Sequence, residues 1–158
     1  MDVNIIKAEA GDAREVAVMV KELTDEIVAT VGGKHFNINV VETSERCRNF
    51  MEEGRYTVFL AIDSQSSEKI GFLSLTESSA LYAEGHFGIV QELYVKKPFR
   101  SQGVGHELIE AATDEGKSKG WKRLELCTPP LPHFEGTVRF YEGRHFEVTG
   151  GKKMKLIL

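Results

Sequence analysis

The most chemically loaded pattern in the chain is Arg100-x-x-Gly103-x-Gly105. It lies where a β-type run, Ile89-Val90 and Leu93-Tyr94-Val95, gives way past Pro98 to apolar residues at helical spacing, Val104, Leu108, Ala111 and Ala112. Pro98 cannot donate to a strand ladder, so the strand ends before it. A helix that starts here leaves backbone N–H groups without acceptors and carries partial positive charge, which attracts an anion. Gly103 and Gly105 lack a Cβ and let oxygen atoms approach the backbone closely. Lys96, Lys97 and Arg100 add positive charge. The expected chemistry is a phosphate or pyrophosphate cradle built from the N–H groups of Ser101, Gln102, Gly103, Val104, Gly105 and His106.

Two well-known cradles do not fit. The nucleotide P-loop requires Gly-Lys-Ser/Thr at its end, and no Lys follows Gly105. The dinucleotide fingerprint requires a third Gly where this chain has Leu108. The remaining pattern, following Glu92-Leu93-Tyr94-Val95, resembles the cofactor motif of the GCN5-related N-acetyltransferase (GNAT) family, whose loop holds the pyrophosphate of acetyl-CoA. A second stretch, Thr137-Val138-Arg139-Phe140-Tyr141-Glu142, resembles the Phe-Tyr helix of that family's last motif.

The resemblance implies acetyl-CoA as co-substrate, no metal, and direct transfer to a primary amine in a ternary complex. The backbone of Leu93, Tyr94 and Val95 is then the segment that pairs with the pantetheine arm, and the Val95 N–H is the donor to the thioester carbonyl. Arg100 and Phe140 join the cofactor-binding set. Glu92 is implied as the base that takes the amine proton, with Glu84 and His86 as substitutes. Tyr141 is implied as the acid that protonates the leaving thiolate. An alkylamine is almost wholly protonated at neutral pH, so a partly desolvated carboxylate with a raised pKa suits the task. Two departures stand out: Phe134 replaces the Asn common at the start of the last helix, and His145 replaces the Gly that precedes Phe146. Glycine suits a left-handed helix end, whereas His adopts that conformation at a steric cost.

Chain order places the acceptor near Phe36, Asn37, Glu84 and His133. A small-molecule amine is the first expectation. A protein N-terminus or lysine, or a module that binds coenzyme A without turnover, is the alternative. Cys127 could carry an acyl group only with a base beside it, and none is evident in sequence. His35, His86, His106, His133 and His145 show no metal-ligand spacing.

A chain of 158 residues is one domain in size, 1–158, and long enough for a substantial core. The formal net charge of -4 argues against nonspecific nucleic-acid or anionic-membrane binding. No apolar run reaches the ~20 residues of a membrane span, and Met1-Asp2-Val3-Asn4 lacks a basic leader. Cys47 and Cys127 are far apart without CxxC spacing, which points to a reduced, cytoplasmic setting.

The elements that must position these residues follow in order. A strand is expected over 3–8, then a helix capped by Asp12 with Glu15 completing a capping box. Gly32-Gly33-Lys34 ends that helix, and a loop with His35, Phe36 and Asn37 leads to a second helix near Thr43. Strands follow over 56–62 and 69–76, a loop or irregular extension over 77–85, then the central strand, cradle and third helix. A strand over 122–127, a Pro-rich loop, a helix over 134–142 and a hairpin of 146–149 with 153–158 complete the chain. This order predicts an α/β chain with a mixed, mostly antiparallel sheet flanked by roughly four helices. It matches the GNAT-like acyl-CoA N-acyltransferase fold, in which two central strands splay apart around the pantetheine arm. A homodimer through a sheet edge or the last hairpin is a further expectation.

Overall fold

A computed structural model describes residues 1–33 and 36–158; Lys34 and His35 lie outside the described residues. The chain divides into two compact units, Met1–Leu126 and Cys127–Leu158. The first unit contains β1 (Val3–Lys7), α1 (Ala13–Val31), α2 (Val40–Glu52), β2 (Thr57–Asp63), β3 (Lys69–Ala80), β4 (Gly85–Val95), α3 (Val104–Ser118) and β5 (Leu124–Leu126), with single 3-10 turns at Ala10–Asp12 and Lys97–Phe99. The second contains α4 (Glu135–Glu142).

The five strands form one sheet in chain order. The pairs from β1 to β4 are antiparallel, and β4 pairs β5 in parallel. Strand alternation sends Val58 and Leu60 of β2 and Phe72 of β3 to one face, where they pack with Ala13, Val16 and Met19 of α1 and Cys47 of α2. The opposite face meets α3, whose Val104, Leu108, Ile109 and Ala112 are buried at helical spacing. Near the β5 edge Gly88 lies flat under Trp121; a Cβ there would collide with the indole ring.

Several boundaries differ from the sequence expectation for identifiable reasons. Asp12 does not cap α1 through its side chain: its carboxylate accepts the Glu9 N–H at 2.8 Å and pairs with Lys69 at 2.9 Å. Glu15 also pairs with Lys69, so the expected box does not form around it. The second helix starts at Val40 rather than near Thr43, because Asn39 accepts the Glu42 N–H at 3.0 Å and supplies the cap. Strand β3 runs on to Ala80 because β4 pairs with it as far as Ala80–Gly85. The C-terminal hairpin is absent: no strand follows β5 among the described residues, and 147–158 are exposed. Two short strands without a third strand or a buried face are at best marginally stable.

Within the second unit, α4 closes with the His145 backbone at φ 70 and the Phe146 N–H bonded to the Tyr141 carbonyl at 3.1 Å. The left-handed residue is therefore the His that stands where glycine was expected. Non-glycine residues bear a steric cost there. His145→Gly is expected to stabilise the protein by about 1 kcal/mol and raise Tm by roughly 2–4 °C, read by calorimetric melting.

Candidate active site

The site begins with an irregularity in β4. Leu75 pairs with Val90, but the next residue of β3, Ser74, pairs with Glu92. Gln91 is thus the extra residue of a β-bulge. In an unbroken ladder Gln91 would face Ser74. The bulge instead turns Gln91 outward, where its Nε2 donates to Thr76 Oγ1, and delivers a carboxylate to the face that carries α1 and α2.

There Glu92 is tightly held. The Tyr56 hydroxyl donates to both carboxylate oxygens at 3.2 Å. Ser74 Oγ donates to Oε2 at 3.1 Å and accepts the Glu92 N–H at 3.0 Å. Ser74 is fully buried, and the Tyr56 ring packs on Phe50 at 5.2 Å between centroids. Burial raises the Glu92 pKa, and the hydrogen bonds from Ser74 and Tyr56 oppose that rise. Burial, with the Glu92 charge beside it, pushes the Cys47 thiol to about 11 and the Tyr56 phenol well above its usual value.

Beyond Val90 no strand of the first unit pairs with the outer side of β4 among the described residues. The parallel pairing with β5 covers only Gly88–Val90 against Leu124–Leu126. The Lys96 N–H bonds the Ile70 carbonyl on β3, so by alternation Leu93 and Val95 direct their backbone groups away from β3. The Val95 carbonyl is already engaged, accepting Arg100 Nε at 2.7 Å.

Arg100 was expected to face a phosphate. Its guanidinium instead forms a bidentate fork with Glu26 of α1, Nη1 and Nη2 each at 2.8 Å from a carboxylate oxygen. It also lies over the Tyr94 ring, 5.4 Å from the centroid. The Arg100 bond holds the Glu26 carboxyl below the usual carboxylate range. Burial pushes the Tyr94 phenol up to about 12. The residue thus braces the turn against α1 and the strand end.

The turn itself carries the anion-binding geometry. Ser101 and Gly103 have left-handed backbones, φ 60 and 88, and α3 starts at Val104. Among the described residues, the N–H groups of Ser101 through His106 bond no backbone or side-chain acceptor. A Cβ built on Gly103 would stand in open space, so the glycine is needed for its φ and for close approach, not to avoid a neighbour. His106 Nδ1 is buried without a partner. An orphaned donor set at a helix start fits a diphosphate at this turn.

In the second unit, Tyr141 is buried and packs edge-on against Phe140 and Phe146, at 5.3 and 5.5 Å. Burial pushes its phenol to about 12, so it stays protonated at neutral pH. Phe134 precedes α4 without a side-chain cap. Cys127 is exposed and Cys47 buried, both free.

Glu84 and His86 lie at the far end of β4 from Glu92. Glu84 occupies the exposed turn between β3 and β4 with φ 59, roughly 25 Å from Glu92 along the strand at ~3.3 Å per residue. His86 bonds Ser79 at 2.6 Å and neighbours Glu77 at that same end of the strand. Phe36 and Asn37 are exposed before α2, and His133 is exposed in the second unit. His35 lies outside the described residues. Among the described residues no group of His, Cys, Asp or Glu is placed to hold a metal, and no helix is long and apolar enough to cross a membrane.

Tyr56, Ser74 and Glu26 were not anticipated from the sequence. Ser74 left one trace, a hydroxyl inside the apolar run Gly71-Phe72-Leu73-Ser74-Leu75, where a buried polar group calls for a partner.

The class this fold defines is the acetyltransferases, and the comparisons agree. The model of the acetyltransferase (GNAT) family matches residues 35–146, and the chain belongs to that family. Aminoalkylphosphonate N-acetyltransferase of Salmonella typhimurium is 33% identical over 64 residues, 40% of this chain and 42% of that protein. The match therefore spans less than half the length of that curated relative. A crystal structure of a probable acetyltransferase superposes with a TM-score of 0.80 at 17% identity, covering 98% of this chain and 97% of the other. Ribosomal-protein-alanine N-acetyltransferase of Brucella melitensis biovar Abortus superposes with a TM-score of 0.74 at 17% identity, covering 99% and 100%.

The Glu26–Arg100 fork gives a test independent of catalysis. Glu26 has a depressed folded pKa, so its stabilisation is present above the ordinary carboxylate pKa and is lost as pH falls through the folded value. Glu26→Gln is expected to cost about 0.5–1 kcal/mol at pH 7, discounted for partial exposure, in urea melts. The gap from the parent protein should close below pH 4.5, the ordinary value for this group.

Proposed function

We propose that the protein transfers an acetyl group from acetyl-CoA to a primary amine, directly and without an acyl-enzyme. The observation that carries this reading is the turn at 101–106, an unpartnered N–H array at the end of the strand bearing a held carboxylate. Bound acetyl-CoA supplies an activated thioester carbonyl. The chain's residues do the rest.

The N–H groups of Ser101 to His106 hold the diphosphate. Leu93 and Val95 offer outward backbone groups to the pantetheine arm, and the Val95 N–H is the donor for the thioester oxygen. Glu92 takes a proton from the ammonium, freeing the nitrogen lone pair to attack the carbonyl carbon. As the C–N bond forms the C–S bond breaks and Tyr141 gives its phenolic proton to the sulfur; the second proton then leaves the nitrogen as the amide forms and restores the phenol. That assignment rests on the resemblance of 137–142 and on a phenol that stays protonated at neutral pH.

A small-molecule amine is the favoured acceptor, supported by the curated relative named for aminoalkylphosphonates. The resemblance to a ribosomal-protein acetyltransferase is one of fold.

Gly103→Val forces a β-branched residue into a left-handed backbone and is expected to weaken coenzyme A binding about tenfold or more in titration calorimetry. Failure of the parent protein to bind coenzyme A would remove the donor from the mechanism. Glu92→Gln should lower kcat by about 100-fold, the scale of general-base catalysis, and erase the acidic limb of the rate profile, with coenzyme A affinity unchanged.

A further inference from the structure

The geometry points to Tyr56 as the positioning residue that keeps Glu92 ready as a base, with Oε1 as the oxygen that receives the amine proton. This rests on the reading of Glu92 as general base. A carboxylate in this setting needs donors, because no cationic group among the described residues acts on it. Three elements supply or shape its surroundings. The residue before β2 contributes the Tyr56 hydroxyl, β3 contributes Ser74, and α2 contributes the Cys47 thiol. Cys47 and Tyr56 are the titratable neighbours, and both are neutral across the range in which Glu92 titrates.

The two oxygens are not equivalent. Oε2 accepts from both Tyr56 and Ser74, whereas Oε1 accepts from Tyr56 alone. Oε1 therefore keeps the lone pair with least competition. When it gains the proton, an N–H bond of the ammonium breaks and an O–H bond forms. The Tyr56 hydrogen then settles on Oε2, which keeps an acceptor role. The phenol loses no proton. It shifts a shared hydrogen bond, and that bond favours the anion that precedes the transfer.

Removing the hydroxyl withdraws an anion-favouring bond, so the Glu92 pKa must rise. The test combines carboxyl carbon-13 titration of Glu92, assigned by its loss in Glu92→Gln, with the pH dependence of kcat/KM. In Tyr56→Phe the Glu92 pKa and the acidic limb should both move up by about one unit, with about tenfold lower kcat/KM below the limb. Folding is checked by melting and by coenzyme A calorimetry. 3-Fluorotyrosine at position 56 keeps the ring with a stronger donor, and both readouts should move down, which guards against Tyr56→Phe failing to fold. A Glu92 pKa unchanged in both variants overturns the proposal. A shifted carbon-13 titration with a rate limb that survives Glu92→Gln overturns instead the base reading, and with it any role of Tyr56 in the reaction.

Discussion

A carboxylate withdrawn from water must be hydrogen-bonded, paired with a cation or neutralised. Glu92 meets the first condition through neutral donors on two separate parts of the chain, Tyr56 and Ser74. That choice fixes much of the architecture around it. Tyr56 reaches the carboxylate only because α2 ends at Glu52 and the chain turns directly into β2, with the Arg55 and Tyr56 N–H groups tied back to the Phe50 carbonyl. Ser74 reaches it only because the ladder slips by one residue at Gln91. Neutral donors hold a carboxylate while lowering its proton affinity less than a salt bridge would. The contrast with Glu26, which an arginine fork holds below the usual range, lies within the same unit.

The second constraint is mechanical. One guanidinium joins α1, the end of β4 and the turn that opens α3. Arginine suits this, because its planar fork makes two parallel bonds while the third nitrogen bonds elsewhere. The turn can then keep a strained left-handed backbone at Ser101, beside the unstrained one at Gly103, and still present its N–H groups in a fixed array.

Much of this was legible beforehand, for local reasons. The strand-to-helix switch around Pro98, the two glycines and the apolar period of α3 are short-range signals, and they located the turn. The role expected at His145 was equally local and appears as its φ of 70. Three things were not legible. The bulge at Gln91 has no glycine or proline to announce it. The Glu92 partners lie 18 and 36 residues away, and pairing over that distance is decided by sheet register. Arg100 looked like a phosphate ligand because its position follows a motif, yet its partner, Glu26, sits on a helix 74 residues earlier. The C-terminal strand pattern was read correctly as composition but wrongly as a hairpin, since no buried face secures it.

The bond from Arg100 to the Val95 carbonyl also guards the strand. An edge that shows alternating donors and acceptors is a template for any other extended chain. At Val95 the acceptor is capped by a side chain, and the N–H is left without its companion. A foreign strand needs both groups in register and finds one. A lone carbonyl oxygen needs only the donor, so the same contact that discourages misassociation leaves the edge fit for a small ligand.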